Sequence, residues 1–254
     1  MLITVPQPKD SELSTYYEST DYISHTDSNK GLLNSLYQSV KKRSIQKKVK
    51  LIRKLNGDAG MLLDIGAGTG EFCKAAQDSG WNSKGVEPNA KARTYSKSKG
   101  IDLEETMESF SGQEFDVVTL WHVLEHLPNL DKSIDDIGNL VKPGGTLVIA
   151  VPNFKSFDAK YYKSFWAAYD VPRHLWHFSK ASMPLLFAKD FGLVKTKPMV
   201  FDSFYVSLLS EKYKTGNSFS MRAFFIGLWS NLVGWRTKEY SSHIYCFKKT
   251  LKNV

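Results

Sequence analysis

Apolar residues at positions 45, 49, 52 and 55 fall three or four apart, the spacing that lines one face of a helix. Most of the other residues in KKRSIQKKVKLIRK, 41–54, are basic, so they take the outer face of that helix. The pattern then changes. Met61, Leu62, Leu63 and Ile65 make an apolar run broken only by Asp64, which reads as a buried parallel strand. Glycines follow at every second position, Gly66, Gly68 and Gly70. Helical spacing resumes in EFCKAAQDSG, with Phe72, Ala75 and Ala76 as its apolar residues and Gly80 as its stop.

The alternation of strand and helix continues. Ser83–Glu87 reads as a short second strand, with Pro88 opening the next helix. A third strand ends within 101–109, and Phe115–Leu120 is a strong fourth. Leu130–Lys142 is a helix that Lys142-Pro143-Gly144-Gly145 stops, and Thr146–Val151 is a fifth strand. A helix begins near Ser179 as its N-cap, and Gly192–Phe201 and His243–Lys248 are the last two strands. This order predicts a single twisted, mostly parallel sheet with helices on both faces.

Glycine in the 66–70 loop allows backbone conformations that a Cβ forbids and lets a ligand approach the main chain. Two common nucleotide loops do not fit. A dinucleotide fingerprint needs a third glycine at position 71, which is Glu71, and a P-loop needs Gly-Lys-Ser/Thr, which is absent. Two acids are present instead: Asp64 inside the strand, and Glu87 at the end of the next one. Here LLDIGAGTGEF resembles the first motif of the class I S-adenosylmethionine (AdoMet) dependent methyltransferases. The resemblance continues through FDVVTLWHVLEHLPN, 115–129, and LVKPGGTLVIAVPN, 140–153, in the family's order. It points to a bacterial branch related to ubiquinone-biosynthesis-type O-methyltransferases.

That resemblance implies a Rossmann-like α/β fold with a seven-stranded, mostly parallel sheet. The cofactor would be AdoMet, leaving S-adenosyl-L-homocysteine as product. Glu87 has two acceptor oxygens that match the vicinal hydroxyls of a ribose. Asp64 would orient the cofactor's amino group or the loop, and Gly66, Ala67, Gly68, Gly70, Phe72 and Pro88 belong to the same cradle. Thr106 and Met107 are the adenine-facing candidates. Trp121 and His122 are placed near the sulfonium and its methyl group, and Arg43, on the leading helix, near the cofactor's carboxylate.

The acceptor side is less legible. His126 reads either as a general base or as a structural anchor at a helix start. YDVPRHLWHFS, 169–179, gathers Arg173, His174 and His177 among aromatics, as a substrate pocket would. His174 is the first candidate for catalytic base. This segment resembles one in a bacterial branch of the family, several of whose members are associated with surface-polysaccharide or lipid-linked biosynthesis. A segment with Tyr16, Tyr17, Tyr22 and His25 is expected as a lid, so 1–56 is read as lid and leading helices and 57–254 as the methyltransferase domain.

An insertion at about 202–242 contains FSMRAFFIGLWSNLVGW, 219–235, whose one charge is Arg222. It is short for a membrane span. It reads as an interfacial helix with peripheral membrane contact, a dimer contact, the roof of an apolar site or a packed helical hairpin.

Composition changes this picture little. The hydrophobic content of 42% supports a full core, and Cys73 and Cys246 are too few for a disulfide framework. With no N-terminal signal pattern, a cytoplasmic location is expected, at most peripheral to the inner membrane face. The formal charge of +8 is concentrated on the amphipathic helix, so the expected partner is a small-molecule acceptor and no nucleic acid. No metal site is expected, because the histidines lack ligand spacing. Two alternatives stay open: a nicotinamide-dependent oxidoreductase, and a non-catalytic AdoMet-binding protein docked on a membrane. Oligomeric state is not readable.

Overall fold

A computed structural model describes residues 1–9, 12, 16, 32–217 and 220–251, with side chains of the first helix given from residue 39. That helix, α1 (Leu32–Asn56), buries Val49 and Ile52 and leaves Lys42, Arg43, Lys47, Lys50, Arg53 and Lys54 exposed. The basic run is therefore a solvated helix face. Tyr17, Tyr22 and His25 lie outside the described residues, and Tyr16 is exposed.

Among the described residues eight strands form: β1 (Leu2–Ile3), β2 (Met61–Ile65), β3 (Asn82–Val86), β4 (Phe115–Trp121), β5 (Val141–Pro152), β6 (Trp176–His177), β7 (Phe191–Pro198) and β8 (Ser242–Lys249). The main sheet has the order β3-β2-β4-β5-β8-β7, and β1 and β6 form a separate antiparallel pair. β2 pairs in parallel with both β3 and β4, which sets Asp64 opposite Gly85 on one side and Thr119 on the other. The expected third strand shrinks to one parallel bridge, Glu104 to Val86, which stands as the sheet's seventh member. Its two hydrogen bonds run from Glu87 N–H to the Glu104 carbonyl and from Glu104 N–H to the Gly85 carbonyl.

The chain divides into two compact units. One, the glycine-loop unit, holds 9–120, 135–148 and 249–254. Its core stacks Leu62, Leu63, Val117, Val118 and Ile52, all fully buried. Asp116 fastens it: one oxygen accepts the Met61 N–H at 2.8 Å and the other the Lys142 ammonium at 2.7 Å. The helix before Lys142, α4 after α2 (Glu71–Gln77) and α3 (Ala90–Ser98), spans Leu130–Leu140, two residues less than its pattern predicts. Pro143 disfavours helical backbone at residue 142, and the chain turns to strand at Val141, well before Thr146. Gly145 allows this path, since a Cβ there would stand 2.8 Å from the Lys142 carbonyl oxygen.

The other unit, with 1–8, 121–134 and 149–248, carries the histidines of 122–177. Here α5 (Phe157–Tyr162) brings Asp158 into a fully buried position. Its carboxylate accepts from Trp166 Nε1 at 2.7 Å, Ser230 Oγ at 2.6 Å and Ser241 Oγ at 2.8 Å. Three donors replace the water this charge has lost. The short α6 (Ser182–Leu186) starts three residues after Ser179, whose hydroxyl accepts the Ser182 N–H at 3.3 Å.

Within 202–242, α7 (Asp202–Thr215) and α8 (Met221–Thr237) pack against each other. The buried positions of α8 are all small: Ala223, Gly227, Ser230 and Gly234. Small residues let helix backbones approach closely, and at Gly227 a Cβ would lie 2.9 Å from Phe204 Cα and 3.0 Å from the Ser203 carbonyl oxygen. Gly227→Ala therefore sets two effects against each other. Helix propensity favours alanine by about 0.5–1 kcal/mol, whereas overpacking costs about 1–3 kcal/mol. The variant is expected to lower the midpoint of thermal unfolding; a raised midpoint would show that α7 and α8 separate freely.

Candidate active site

Buried β2 leads straight into the glycine loop, which turns because its three glycines adopt left-handed backbone, with φ of +71° at Gly66, +54° at Gly68 and +73° at Gly70. A residue with a Cβ would be strained at each. Space differs between them. At Gly70 a Cβ would crowd Ser96 and Ile101 at 3.0 and 3.1 Å, whereas at Gly68 it would meet nothing within 4 Å. The loop is thus packed against protein at one end and open at its tip. Gly66 and Ala67 donate their N–H groups to the Val86 carbonyl at 2.8 and 2.9 Å, holding the loop against the end of β3.

Glu87 follows β3 directly and is 3% exposed. One of its oxygens accepts the Gly68 N–H at 2.7 Å, the other the Asn89 N–H at 3.0 Å. Each oxygen keeps acceptor capacity beyond these bonds. Burial raises its pKa above the usual carboxylate value, against the two amide bonds and Arg93. Asn89 also caps α3, accepting the Ala92 N–H at 3.1 Å. Pro88 accordingly lies ahead of the N-cap and is exposed, so it leads into the helix without opening it.

Asp64 is 2% exposed and takes the Thr119 hydroxyl at 2.6 Å. Burial pushes its pKa up to about 7, against Thr119 and Lys48 and with help from Glu87. Two acids therefore stand at the carboxyl ends of neighbouring parallel strands beside an open loop tip.

Other expected cofactor residues are placed differently. Phe72 is buried on the inner face of α2, with its side chain in the core. Thr106 is exposed and Met107, half-buried, opens a short turn at Met107–Phe110. Arg43 is exposed on α1. On the same helix it is Lys41 that reaches the loop's helix, pairing with Glu71 at 2.7 Å. Charge periodicity alone could not tell those two apart.

In the other unit, His122 has left-handed backbone, φ +59°. Its ring nitrogens face carboxylates on both sides, Glu125 at 3.4 Å and Asp202 at 3.2 Å. Burial would lower its pKa, but those two partners outweigh it and raise the imidazole to about 9. His122 is thus held as a cation between two acids.

His126 and His174 meet edge to face, ring centres 4.4 Å apart. His174 is 7% exposed, and burial lowers its pKa to about 4. It is neutral at pH 7 and too weak a base to hold a proton there. His177, also buried and lowered by burial, faces Thr4 Oγ1 at 3.1 Å. That hydroxyl gives its proton to the His174 carbonyl at 2.6 Å, so His177 Nε2 donates to it. His174, His177, Trp166, Trp176, Phe154 and Phe178 line a shallow, tightly packed depression with no room for a water molecule.

A family model described as a methyltransferase domain matches residues 22–197, well over half of the chain. The chain belongs to that family. Among its curated relatives, the ubiquinone biosynthesis O-methyltransferase of Saccharophagus degradans is 33% identical over 102 residues, covering 36% of this chain and 43% of the relative. The protein of the same description from Pseudomonas aeruginosa is 35% identical over 103 residues, covering 36% and 44%. The chain thus spans less than half the length of these relatives. Among solved structures, a SAM-dependent methyltransferase from Archaeoglobus fulgidus superposes with TM-score 0.55 at 18% identity, covering 83% of this chain and 94% of that one. Magnesium protoporphyrin IX methyltransferase from Synechocystis, solved with bound SAM, gives 0.60 at 14%, covering 97% and 100%. At such identities the agreement is one of fold.

The Asp64 titration gives a test. Its carboxyl holds a proton in the folded state up to about pH 7 but ionises near 3.8 when unfolded. Stability is therefore lost as pH rises through that window, at a slope approaching about 1.4 kcal/mol per pH unit. Asp64→Asn keeps an acceptor for Thr119 and removes the titration. Its stability relative to the parent is expected to improve between pH 4 and pH 8, measured by urea unfolding; a constant difference would place the charge elsewhere.

Proposed function

We propose that this chain transfers a methyl group from AdoMet to a hydroxyl oxygen of a small molecule. The observation that carries this reading is Glu87, a buried carboxylate at a strand end whose two oxygens stand beside the open tip of a left-handed glycine loop. Such a group suits the vicinal hydroxyls of the AdoMet ribose. Asp64 would face the cofactor's cationic portion, and Met107 the adenine. Trp121, His122 and Arg43 stay in the proposal as cofactor contacts on the resemblance alone.

In the reaction, an oxygen lone pair forms the new C–O bond while the C–S bond breaks and its electron pair returns to sulfur, leaving S-adenosylhomocysteine. The sulfonium is already activated, so the protein mainly aligns oxygen, carbon and sulfur and excludes water. The hydroxyl proton has to leave. The cluster of Glu125, His126, His174 and His177 is proposed to engage the acceptor and manage that proton. His174 by itself is too acidic as an imidazolium for the task.

Geometry weighs against a dinucleotide. A pyrophosphate would sit at the start of α2, where Glu71 places a carboxylate held by Lys41 and Lys99. Calorimetric titration of the full chain is expected to show S-adenosylhomocysteine binding and no NADH binding; the reverse would overturn the reading. Glu87→Gln is expected to weaken the first at least tenfold, because one charge-assisted hydrogen bond is worth about 1.5–3 kcal/mol. A radiolabelled methyl group should then appear on hydroxylated acceptors, and binding without transfer would leave a non-catalytic AdoMet-binding protein.

The acceptor is proposed to be lipid-linked, met at an anionic membrane surface. No described helix is long and apolar enough to cross a membrane. Yet α8 turns its small residues inward and its large ones outward: Phe224, Phe225, Leu228, Trp229, Leu232 and Trp235 are all 40–67% exposed. Exposed Arg222, Arg236 and Lys238 flank this apolar face, and Lys212 and Lys214 end α7. Apolar area ringed by cations fits an anionic interface better than a neutral one. Vesicles containing phosphatidylserine are expected to sediment the chain, pure phosphatidylcholine much less so, and Phe225→Asn with Trp229→Asn to abolish the effect. Binding unchanged in the double variant, or a stable dimer that binds no lipid, would refute this surface.

A further inference from the structure

Glu125, His126 and His174 converge within the histidine-bearing unit although 47 residues separate the last two along the chain. One carboxylate oxygen and one nitrogen from each ring all lie within 4.8 Å of one another. Glu125 is 1% exposed, and the contact that answers its charge is the His122 ring, 3.4 Å from one oxygen. That contact is long, and among the described residues no second donor reaches either oxygen at hydrogen-bond distance. A buried carboxylate normally acquires several close donors, so this one keeps acceptor capacity unused.

The two imidazoles are held in a matching way. His126 Nδ1 lies 3.2 Å from the Arg173 carbonyl oxygen, and His174 Nδ1 lies 2.9 Å from the Ala168 carbonyl oxygen. A carbonyl only accepts, so each Nδ1 carries a proton, and in the neutral ring it is Nε2 that offers a lone pair. Backbone carbonyls hold metal-ligating histidines in the same fashion, fixing tautomer and ring direction. The scaffold is also braced: Leu175 N–H donates to the Glu125 carbonyl at 2.8 Å, and Trp176 Nε1 to the Leu127 carbonyl at 2.8 Å. These bonds pin the two segments that supply the three side chains.

We infer that Glu125, His126 and His174 form a binding site for one divalent transition-metal ion of the zinc class. Two neutral imidazoles and one carboxylate are a borderline-soft donor set, poorly suited to Mg²⁺, and three protein ligands leave a coordination position open. With bonds of about 2.0–2.1 Å, adjacent ligand atoms of a tetrahedral site stand roughly 3.3 Å apart. The three atoms would thus draw in by at most about 1.5 Å on binding the ion. Asp170 Oδ2, 3.8 Å from His174 Nε2, is a further oxygen donor at the rim. The site itself is argued from these residues alone; only its use, polarising the acceptor hydroxyl in the open position, rests on the proposed methyl transfer.

The full chain, treated with a chelator and desalted, is titrated with Zn²⁺ and with Mg²⁺ by calorimetry, and with Co²⁺ by visible absorption. One Zn²⁺ per chain with micromolar affinity or better, no Mg²⁺ binding at millimolar concentration, and Co²⁺ bands of a low-coordinate site are expected. Glu125→Gln, His126→Asn and His174→Asn should each weaken Zn²⁺ at least tenfold. Circular dichroism and S-adenosylhomocysteine binding accompany every variant. If the buried positions do not tolerate change, His126→Asn, at a half-buried ring, decides. No Zn²⁺ on the parent chain, or full affinity retained in His126→Asn, overturns the site. Zn²⁺ bound without S-adenosylhomocysteine binding would instead overturn the proposed function and leave the site standing.

Discussion

Two carboxylates taken out of water at the ends of adjoining strands set the terms for the glycine-loop unit. Left alone, such charges would neutralise or drag in solvent. Asp64 meets the problem with the Thr119 hydroxyl and by holding its proton to about pH 7, Glu87 with two backbone amides. One of those amides belongs to Gly68, at the loop tip, so the acid that would receive a ligand also shapes the loop that would admit it. Parallel pairing of β2 with both neighbours makes this arrangement possible by bringing Asp64 level with Thr119.

The histidine-bearing unit solves a similar problem unevenly. Asp158 collects three donors and closes a buried knot that ties α5 to α8. Glu125, equally buried, is answered by the His122 ring at 3.4 Å and by the charges of the imidazoles around it. His122 is held as a cation between Glu125 and Asp202, so it neutralises the cluster without saturating it. Three close donors make Asp158 a structural centre, whereas the looser contacts of Glu125 are what the proposed metal site starts from.

Legibility in the sequence followed the range of the forces. Strand β2, the glycine loop and Glu87 were readable because their signals are local: an apolar run, backbone that only glycine adopts, and an acid at a strand end. The insertion at 202–242 was readable as helical, but not that α8 would turn Gly227 and Ser230 inward and Trp229 outward, because that depends on how closely α7 approaches. Arg43 and Lys41 carry the same charge two residues apart, and only the rotation of α1 separates an exposed residue from one paired to Glu71. The Glu125, His126 and His174 cluster was invisible to spacing rules, which assume ligands near one another in sequence. Pro143 moved the start of β5 through a backbone restriction that an apolar count does not weigh.

The central claim is that Glu87 holds a ribose beside the glycine loop. A crystal structure of the full chain with S-adenosylhomocysteine tests it directly. The account predicts both ribose hydroxyls within hydrogen-bond distance of the Glu87 carboxylate, with the Gly68 amide still near. A ligand bound elsewhere, with Glu87 engaged only by the Gly68 and Asn89 amides, would contradict it.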